Sequence, residues 1–262
     1  MTWIEALILG VVQGLTEFLP VSSSGHIEIG KVLFDIQAED NLLFSVVVHA
    51  ATALSTIIVF RNDLKELILK FFRFQGEAFH FGTKILISII PVGVIGVFFE
   101  EEIEAFFGGQ LLFVGFMLLI TGSLLSFTYF RKDQDGEISF SKAFIIGLAQ
   151  AFALLPGISR SGATIATGIL LGAEKSKVTR FSFLMVLIPI LGATFLKILD
   201  LIESPALNAG TTNLPLIVGF IAAFLSGLFA CSWMIKIVKR GKLIYFAIYC
   251  FILGGVAIIT YL

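Results

Sequence analysis

Apolar residues in this chain come in long runs, not in the short alternation of half-buried strands. Six runs approach the ~20 residues that a bilayer crossing takes: 42–60, 83–99, 111–130, 181–199, 214–235 and 243–262. Each predicts a membrane-spanning helix. Pro91 and Pro189 fall inside two of them, where a kink is expected. Trp3, Tyr129 and Trp233 lie near segment ends, a common place for interfacial aromatics.

Two further apolar segments do not fit as simple spans, and they repeat each other. Residues 8–25 read ILGVVQGLTEFLPVSSSG and residues 145–162 read IIGLAQAFALLPGISRSG, a constant shift of 137 positions. The shift superposes Gly10 on Gly147, Gln13 on Gln150, Ser22 on Ser159, Ser24 on Ser161 and Gly25 on Gly162. It continues unchanged to Phe44-Ser45 on Phe181-Ser182. Such self-similarity marks a duplicated membrane protein, with one repeat over about 1–130 and the other over about 141–262. After the first Pro/Ser/Gly loop only residues 26–36 remain before a polar stretch, and they include Glu28 and Lys31. After the second loop, residues 163–173 cover about 16 Å at ~1.5 Å per residue, half a bilayer. Each segment therefore predicts a re-entrant helical hairpin. Broken backbone at membrane depth requires protein or a water-filled cavity around it.

Composition agrees with a membrane class: 57% hydrophobic and 14% charged residues, with a mean hydropathy of +1.00. A soluble domain carries about a quarter charged residues. The net charge of −1 gives no electrostatic case for a nucleic-acid partner. Cys231 and Cys250 sit in apolar segments and read as packing residues, not a disulfide framework. The opening MTWIE has no basic n-region, so residues 1–18 are expected in the mature fold.

Basic residues cluster at 61–84, 131–142, 175–180 and 236–242. The other connections are acidic: Asp35, Glu39 and Asp40, then Glu100–Glu102 and Glu104, then Asp200 and Glu203. With the basic loops cytoplasmic, the sides alternate only if both hairpins return to the side they entered. The first hairpin then enters from outside and the second from inside. The second half is inverted relative to the first, and both termini face outward. The predicted fold is an all-α polytopic membrane protein, an inverted-topology repeat of six transmembrane helices plus two re-entrant helical hairpins.

The hairpin segments carry the polar residues. The first contributes Gln13, Glu17, Ser22, Ser23, Ser24 and His26; the second contributes Ser159, Arg160, Ser161 and Thr164. Ionisable groups at membrane depth are costly and tend to be functional or paired. Gln13 and Glu17, four residues apart, share one helical face. The repeat maps Ser23 onto Arg160, while Glu17 and His26 map onto Leu154 and Ala163. One half thus supplies acid/base groups and the other a fixed cation. This combination suits a phosphate-bearing anion: Arg160 offers a planar donor fork at a helix start, Ser23 can attack phosphorus, and His26 or Glu17 can take its proton. Structural readings stand beside these. Glu17 and Arg160 can form an ion pair joining the halves, and the serines can cap helices, Ser24 and Ser161 foremost. Gln13 and Gln150 can serve hairpin packing, and His49 packing or support of the site. His80 is expected in a loop, and the acidic run at 100–104 in a solvated outer loop.

EFLPVSSSGH at 17–26 together with PGISRSGAT at 156–164 closely resembles the BacA/UppP family of undecaprenyl-pyrophosphate phosphatases, in order and over essentially the whole chain. The resemblance implies hydrolysis of undecaprenyl (polyprenyl) pyrophosphate to the monophosphate plus phosphate. That reaction takes place at the outer, periplasmic face of the bacterial inner membrane and recycles the lipid carrier for peptidoglycan; high levels confer bacitracin resistance. It implies Ser23 as nucleophile, assistance by Glu17 and His26, and pyrophosphate binding by Arg160. Gln13, Ser22, Ser24, Ser159, Ser161 and Thr164 complete the expected substrate site. It also implies dependence on a divalent cation, Mg²⁺ or Ca²⁺, with Glu17 as its one protein ligand in the tip cluster, and it is compatible with a homodimer. Gln13 stands where some members have Glu, which leaves one carboxylate on that helix and a cation held mainly by substrate oxygens. The rival reading is an inverted-repeat transporter or flippase for a phosphorylated lipid or anion. Such a protein needs the arginine but not a serine nucleophile.

Overall fold

Helix α1 (Trp3–Phe18) opens on a capping box: Thr2 Oγ1 accepts from the Glu5 amide at 3.3 Å, and the Glu5 carboxylate accepts from the Thr2 amide at 2.8 Å. It stops at Leu19 because Pro20 follows and disfavours helical backbone; Leu19 is extended, at φ −73° and ψ 144°. After this break the chain turns into α2 (Ser23–Leu33). Then come α3 (Asn41–Val59), α4 (Arg61–Phe72), α5 (Gly76–Phe98), the short α6 (Glu100–Glu104) and α7 (Leu111–Tyr129). The second copy of the motif again gives a helix, a Pro/Gly break and a shorter helix: α8 (Phe140–Phe152) and α9 (Arg160–Leu170). α10 (Lys175–Glu203), α11 (Asn213–Lys239) and α12 (Leu243–Tyr261) complete the chain. This computed structural model describes residues 1–34, 41–107, 110–132, 134–203, 213–240 and 242–261. The acidic connection at Asp35, Glu39 and Asp40 lies outside the described residues, as do the side chains of Asp200 and Glu203.

Among the described residues, five helices are long and apolar enough to cross a membrane: Gly76–Phe98, Leu111–Tyr129, Lys175–Leu196, Asn213–Val238 and Leu243–Tyr261. The sixth expected span, 42–60, falls on α3, which is long and apolar enough only when taken together with α4, and the two are bent by 78° at the break between them. The basic stretch 61–84 is thus helical, not a loop. Leu64, Leu67, Ile68 and Phe71 recur at i, i+3, i+4 and i+7 among its charges, the pattern of an amphipathic helix. His80 likewise lies on α5, its Nδ1 2.9 Å from the Gly76 carbonyl oxygen, not in a loop. The acidic run at 100–104 forms the short helix α6, with Glu100, Glu101 and Glu102 exposed. Pro91 and Pro189 lie inside α5 and α10. Trp3, Tyr129 and Trp233 are exposed near helix ends, and Cys231 and Cys250 are buried and free.

Helices next to the two breaks pack against helices distant in the chain. α1 lies along α11, α8 along α5, and α7 along α12. Close approach is possible because small residues meet: a Cβ on Gly14 of α1 would fall 2.0 Å from Ser226 Oγ of α11. On the basic side the Glu174 amide donates to the Gly136 carbonyl at 2.9 Å, and Lys177 pairs with Glu137. That hydrogen bond from Lys177 holds the Glu137 carboxyl below the usual carboxylate range. Arg180 of α10 reaches Asp63 of α4 at 2.6 Å and stacks over Phe81 of α5.

Candidate active site

The two chain breaks meet in the protein interior, where every exposed backbone group needs a protein partner. The first is tight enough to place Ser22 at φ 68°, a left-handed conformation that costs a non-glycine residue energy and is typical of functional sites. The second turns at Gly157, φ 98°, where a Cβ would sit 2.6 Å from the Val114 carbonyl oxygen of α7. The breaks are held by each other and by helices of the opposite half. Ser161 Oγ donates to the Leu19 carbonyl at 3.2 Å, and the Gly157 amide donates to Ser24 Oγ at 3.4 Å. Thr121 of α7 accepts from the Ser159 amide at 3.1 Å and donates to the Gly157 carbonyl at 3.2 Å.

The helix caps are Ser22 and Ser159, not Ser24 and Ser161. Ser22 Oγ accepts from the Gly25 amide at 3.2 Å, and Ser159 Oγ accepts from the Gly162 amide at 3.0 Å. The reason is register: an N-cap precedes the first helical residue, and those residues are Ser23 in α2 and Arg160 in α9. Ser24 and Ser161 are left free to bridge the breaks.

With the caps so placed, Ser23 and Arg160 stand at equivalent helix starts, as the repeat predicts, and Glu17 joins them. Ser23 Oγ donates to Glu17 Oε2 at 2.6 Å, and Arg160 Nη2 donates to Glu17 Oε1 at 2.5 Å. Gln13 Nε2 adds a third donor to Oε2 at 3.0 Å, so the expected Gln13–Glu17 face is real. The Glu17 side chain is 6% exposed and Arg160 keeps 22%, an almost buried pair with its cation toward the opening. The serine hydroxyl therefore already donates to a carboxylate, and a guanidinium and two helix N-termini supply positive potential beside it.

His26 is placed differently from the expectation. Its Nδ1 lies 2.7 Å from the Ser22 carbonyl oxygen and its Nε2 2.6 Å from the Tyr249 hydroxyl of α12, with the two rings stacked at 2°. Both ring nitrogens are thus engaged away from Ser23. Thr164 Oγ1 donates to the Arg160 carbonyl at 2.8 Å and meets Ser182 Oγ at 2.6 Å, which buttresses the start of α9 from beneath. His49 bonds the Ser45 carbonyl oxygen through Nδ1 at 2.8 Å, one turn back on α3.

Beside the pair a small open cavity reaches between α3, α8, α9 and α10. Thr52, Thr56 and Ser182 line it, and none was a candidate from the motifs. A signal for the first two does exist: His49, Thr52 and Thr56 form a polar stripe at helical spacing inside an apolar span. Among the described residues no three His, Cys, Asp or Glu side chains come together. Both Glu17 oxygens are taken, one by a guanidinium. This donor set does not fit a resident divalent cation.

A serine, a carboxylate and a guanidinium gathered at two buried helix starts, among membrane-spanning helices, define a membrane-embedded protein with a centre for an anionic substrate. The chain belongs to the BacA family: the family profile described as "Bacitracin resistance protein BacA" matches residues 6–256. It is 56% identical over 262 residues to an undecaprenyl-diphosphatase of Bacteroides fragilis, covering 99% of this chain and 98% of that one. It is 54% identical to an undecaprenyl-diphosphatase of Bacteroides thetaiotaomicron, with all of both chains covered (100% each). It is 38% identical to that of Oceanobacillus iheyensis, over 98% of this chain and 96% of the relative.

Proposed function

We propose that this chain is the membrane phosphatase that hydrolyses undecaprenyl pyrophosphate to undecaprenyl phosphate and inorganic phosphate, returning the carrier lipid to cell-wall synthesis. The observation that carries the reading is the Ser23–Glu17–Arg160 chain, at 2.6 and 2.5 Å. Arg160 binds the terminal phosphate with its fork of donors, aided by the starts of α2 and α9. Ser23 attacks phosphorus, Glu17 takes its proton, and the bond to the bridging oxygen breaks with the electron pair leaving on the lipid monophosphate. Glu17 returns a proton to the leaving oxygen, then accepts one from the water that hydrolyses the phosphoserine. His26, held by Ser22 and Tyr249, lines the approach and contacts substrate rather than the Ser23 proton. Gln13, Ser22, Ser24, Ser159, Ser161 and Thr164 shape the head-group pocket, mostly by holding the two breaks. A Mg²⁺ or Ca²⁺ ion enters on the pyrophosphate oxygens as part of the substrate.

The two halves, about 1–130 and 141–262, form an inverted repeat in this reading, and α1–α2 and α8–α9 are re-entrant hairpins. The order of helices in each half and the cross-packing of α1 on α11 and α8 on α5 support it. The centre opens to the outer face of the bacterial inner membrane, and the lipid tail lies between helices. Release of inorganic phosphate from undecaprenyl pyrophosphate by the purified protein in detergent tests the reading. Saturable binding without phosphate release by a folded protein would instead identify a transporter.

A further inference from the structure

Gln150 of α8 is fully buried, and neither its Nε2 nor its Oε1 has a hydrogen-bond partner among the described residues. Buried amides in folded proteins are satisfied, by protein or by ordered water. Gln150 lines the cavity that Glu17 and Arg160 also line. The rest of the polar wall decides what fits there. Thr52 Oγ1 donates to the His49 carbonyl at 2.9 Å, Thr56 Oγ1 to the Thr52 carbonyl at 3.1 Å and Thr164 Oγ1 to the Arg160 carbonyl at 2.8 Å. Their protons are committed, and Thr164 Oγ1 also meets Ser182 Oγ at 2.6 Å, so it is Thr52 and Thr56 that present lone pairs to the cavity. Gln150 presents two donors and an acceptor. Arg160 takes the phosphate in the phosphatase reading, and against Thr52 and Thr56 an anion would meet those lone pairs unfavourably. A bare cation would face the Arg160 guanidinium and could not satisfy the Gln150 Nε2 donors. A small ligand that both donates and accepts meets every group, and water is that ligand.

We propose that this cavity is the water site of the reaction, with Gln150 the positioning residue that holds the hydrolytic water against Glu17. The inference rests on the phosphatase reading. Once the phosphoryl group is on Ser23, the held water attacks phosphorus and Glu17 accepts its proton. The bond from phosphorus to Ser23 Oγ breaks, Glu17 passes the proton to that oxygen, and inorganic phosphate leaves. Gln13 occupies the equivalent position in the first half and spends its Nε2 on Glu17, leaving only its Oε1 without a partner among the described residues, whereas both polar atoms of Gln150 are left for the cavity.

The test compares wild type, Gln150→Met and Thr56→Val on undecaprenyl pyrophosphate, in water and in water containing methanol. Both substitutions nearly conserve volume, and Thr56→Val stands in should Gln150→Met not fold. Each folded variant is expected to lose about a hundredfold in kcat with KM unchanged, the scale of a misplaced reactant. Methyl phosphate is expected to rise relative to inorganic phosphate, because the site no longer favours water over the competing nucleophile. A packing defect would slow both products together, so a lower kcat with an unmoved product ratio overturns the inference. Wild-type kcat in folded variants also overturns it. Absence of turnover in wild type itself would sink the phosphatase reading, and the water site with it.

Discussion

Glu17 is the residue on which the centre turns: three side chains from two halves of the chain donate to its two oxygens. Breaking a buried pair leaves an uncompensated charge, at a cost of about 3–5 kcal/mol. Glu17→Gln is therefore expected both to abolish turnover and to lower the thermal midpoint in detergent. Ser23→Ala removes only a hydroxyl and should leave the midpoint nearly unchanged while turnover falls on the order of a thousandfold or more. Near-normal turnover in Ser23→Ala would show that water attacks phosphorus directly. Arg160→Lys keeps the charge but loses the planar fork, and about a hundredfold loss of turnover is expected. Tyr249→Phe removes one hydrogen bond to His26, worth about 1 kcal/mol, so about a fivefold loss is expected if His26 orientation matters as proposed. Gln13, Glu17, Ser23 and Arg160 were legible in the sequence because ionisable and hydroxyl groups stand out in apolar segments and the repeat aligns the two tips. Tyr249 was not: it lies 223 residues from His26 in an apolar span, and only the packing of α12 against the first break joins them.

The broken helices do at the scale of elements what an unbroken span cannot, presenting two helix starts to one point inside the protein. Pro20 ends α1 and Gly157 turns the second break, and both were readable as breaks. Which serine caps was not, since that depends on the first helical residue, and a shift of two positions in register changes the answer. Gly157→Ala places a Cβ where φ is 98° and the Val114 oxygen is 2.6 Å away. Destabilisation of about 1–3 kcal/mol is expected, with lost turnover, seen as a lower melting temperature in detergent. The helix α4 was missed because its charges outweigh its apolar stripe in a composition count. The same charges suit it to a membrane surface, at 78° to the span before it.

Over the whole molecule, the long apolar helices give a multi-pass membrane protein, and the two broken segments pack on helices distant in the chain, α1 on α11 and α8 on α5. The spans were legible from length and hydropathy alone. The crossed packing of α1 on α11 and α8 on α5 was not, because lipid-facing and helix-facing apolar positions look alike in sequence. The proposed inverted topology expects both termini outside, and a periplasm-active reporter fused after Leu262 should be active; a reporter active only in the cytoplasm would contradict it. The central claim is that phosphate is cleaved at the meeting point of the two broken helices. Phosphate release from undecaprenyl pyrophosphate, measured side by side for wild type, Ser23→Ala and Arg160→Ala in detergent, tests it most directly. Turnover in wild type that disappears in both folded variants is the expected result. Wild-type turnover in both would place the chemistry elsewhere and contradict the account.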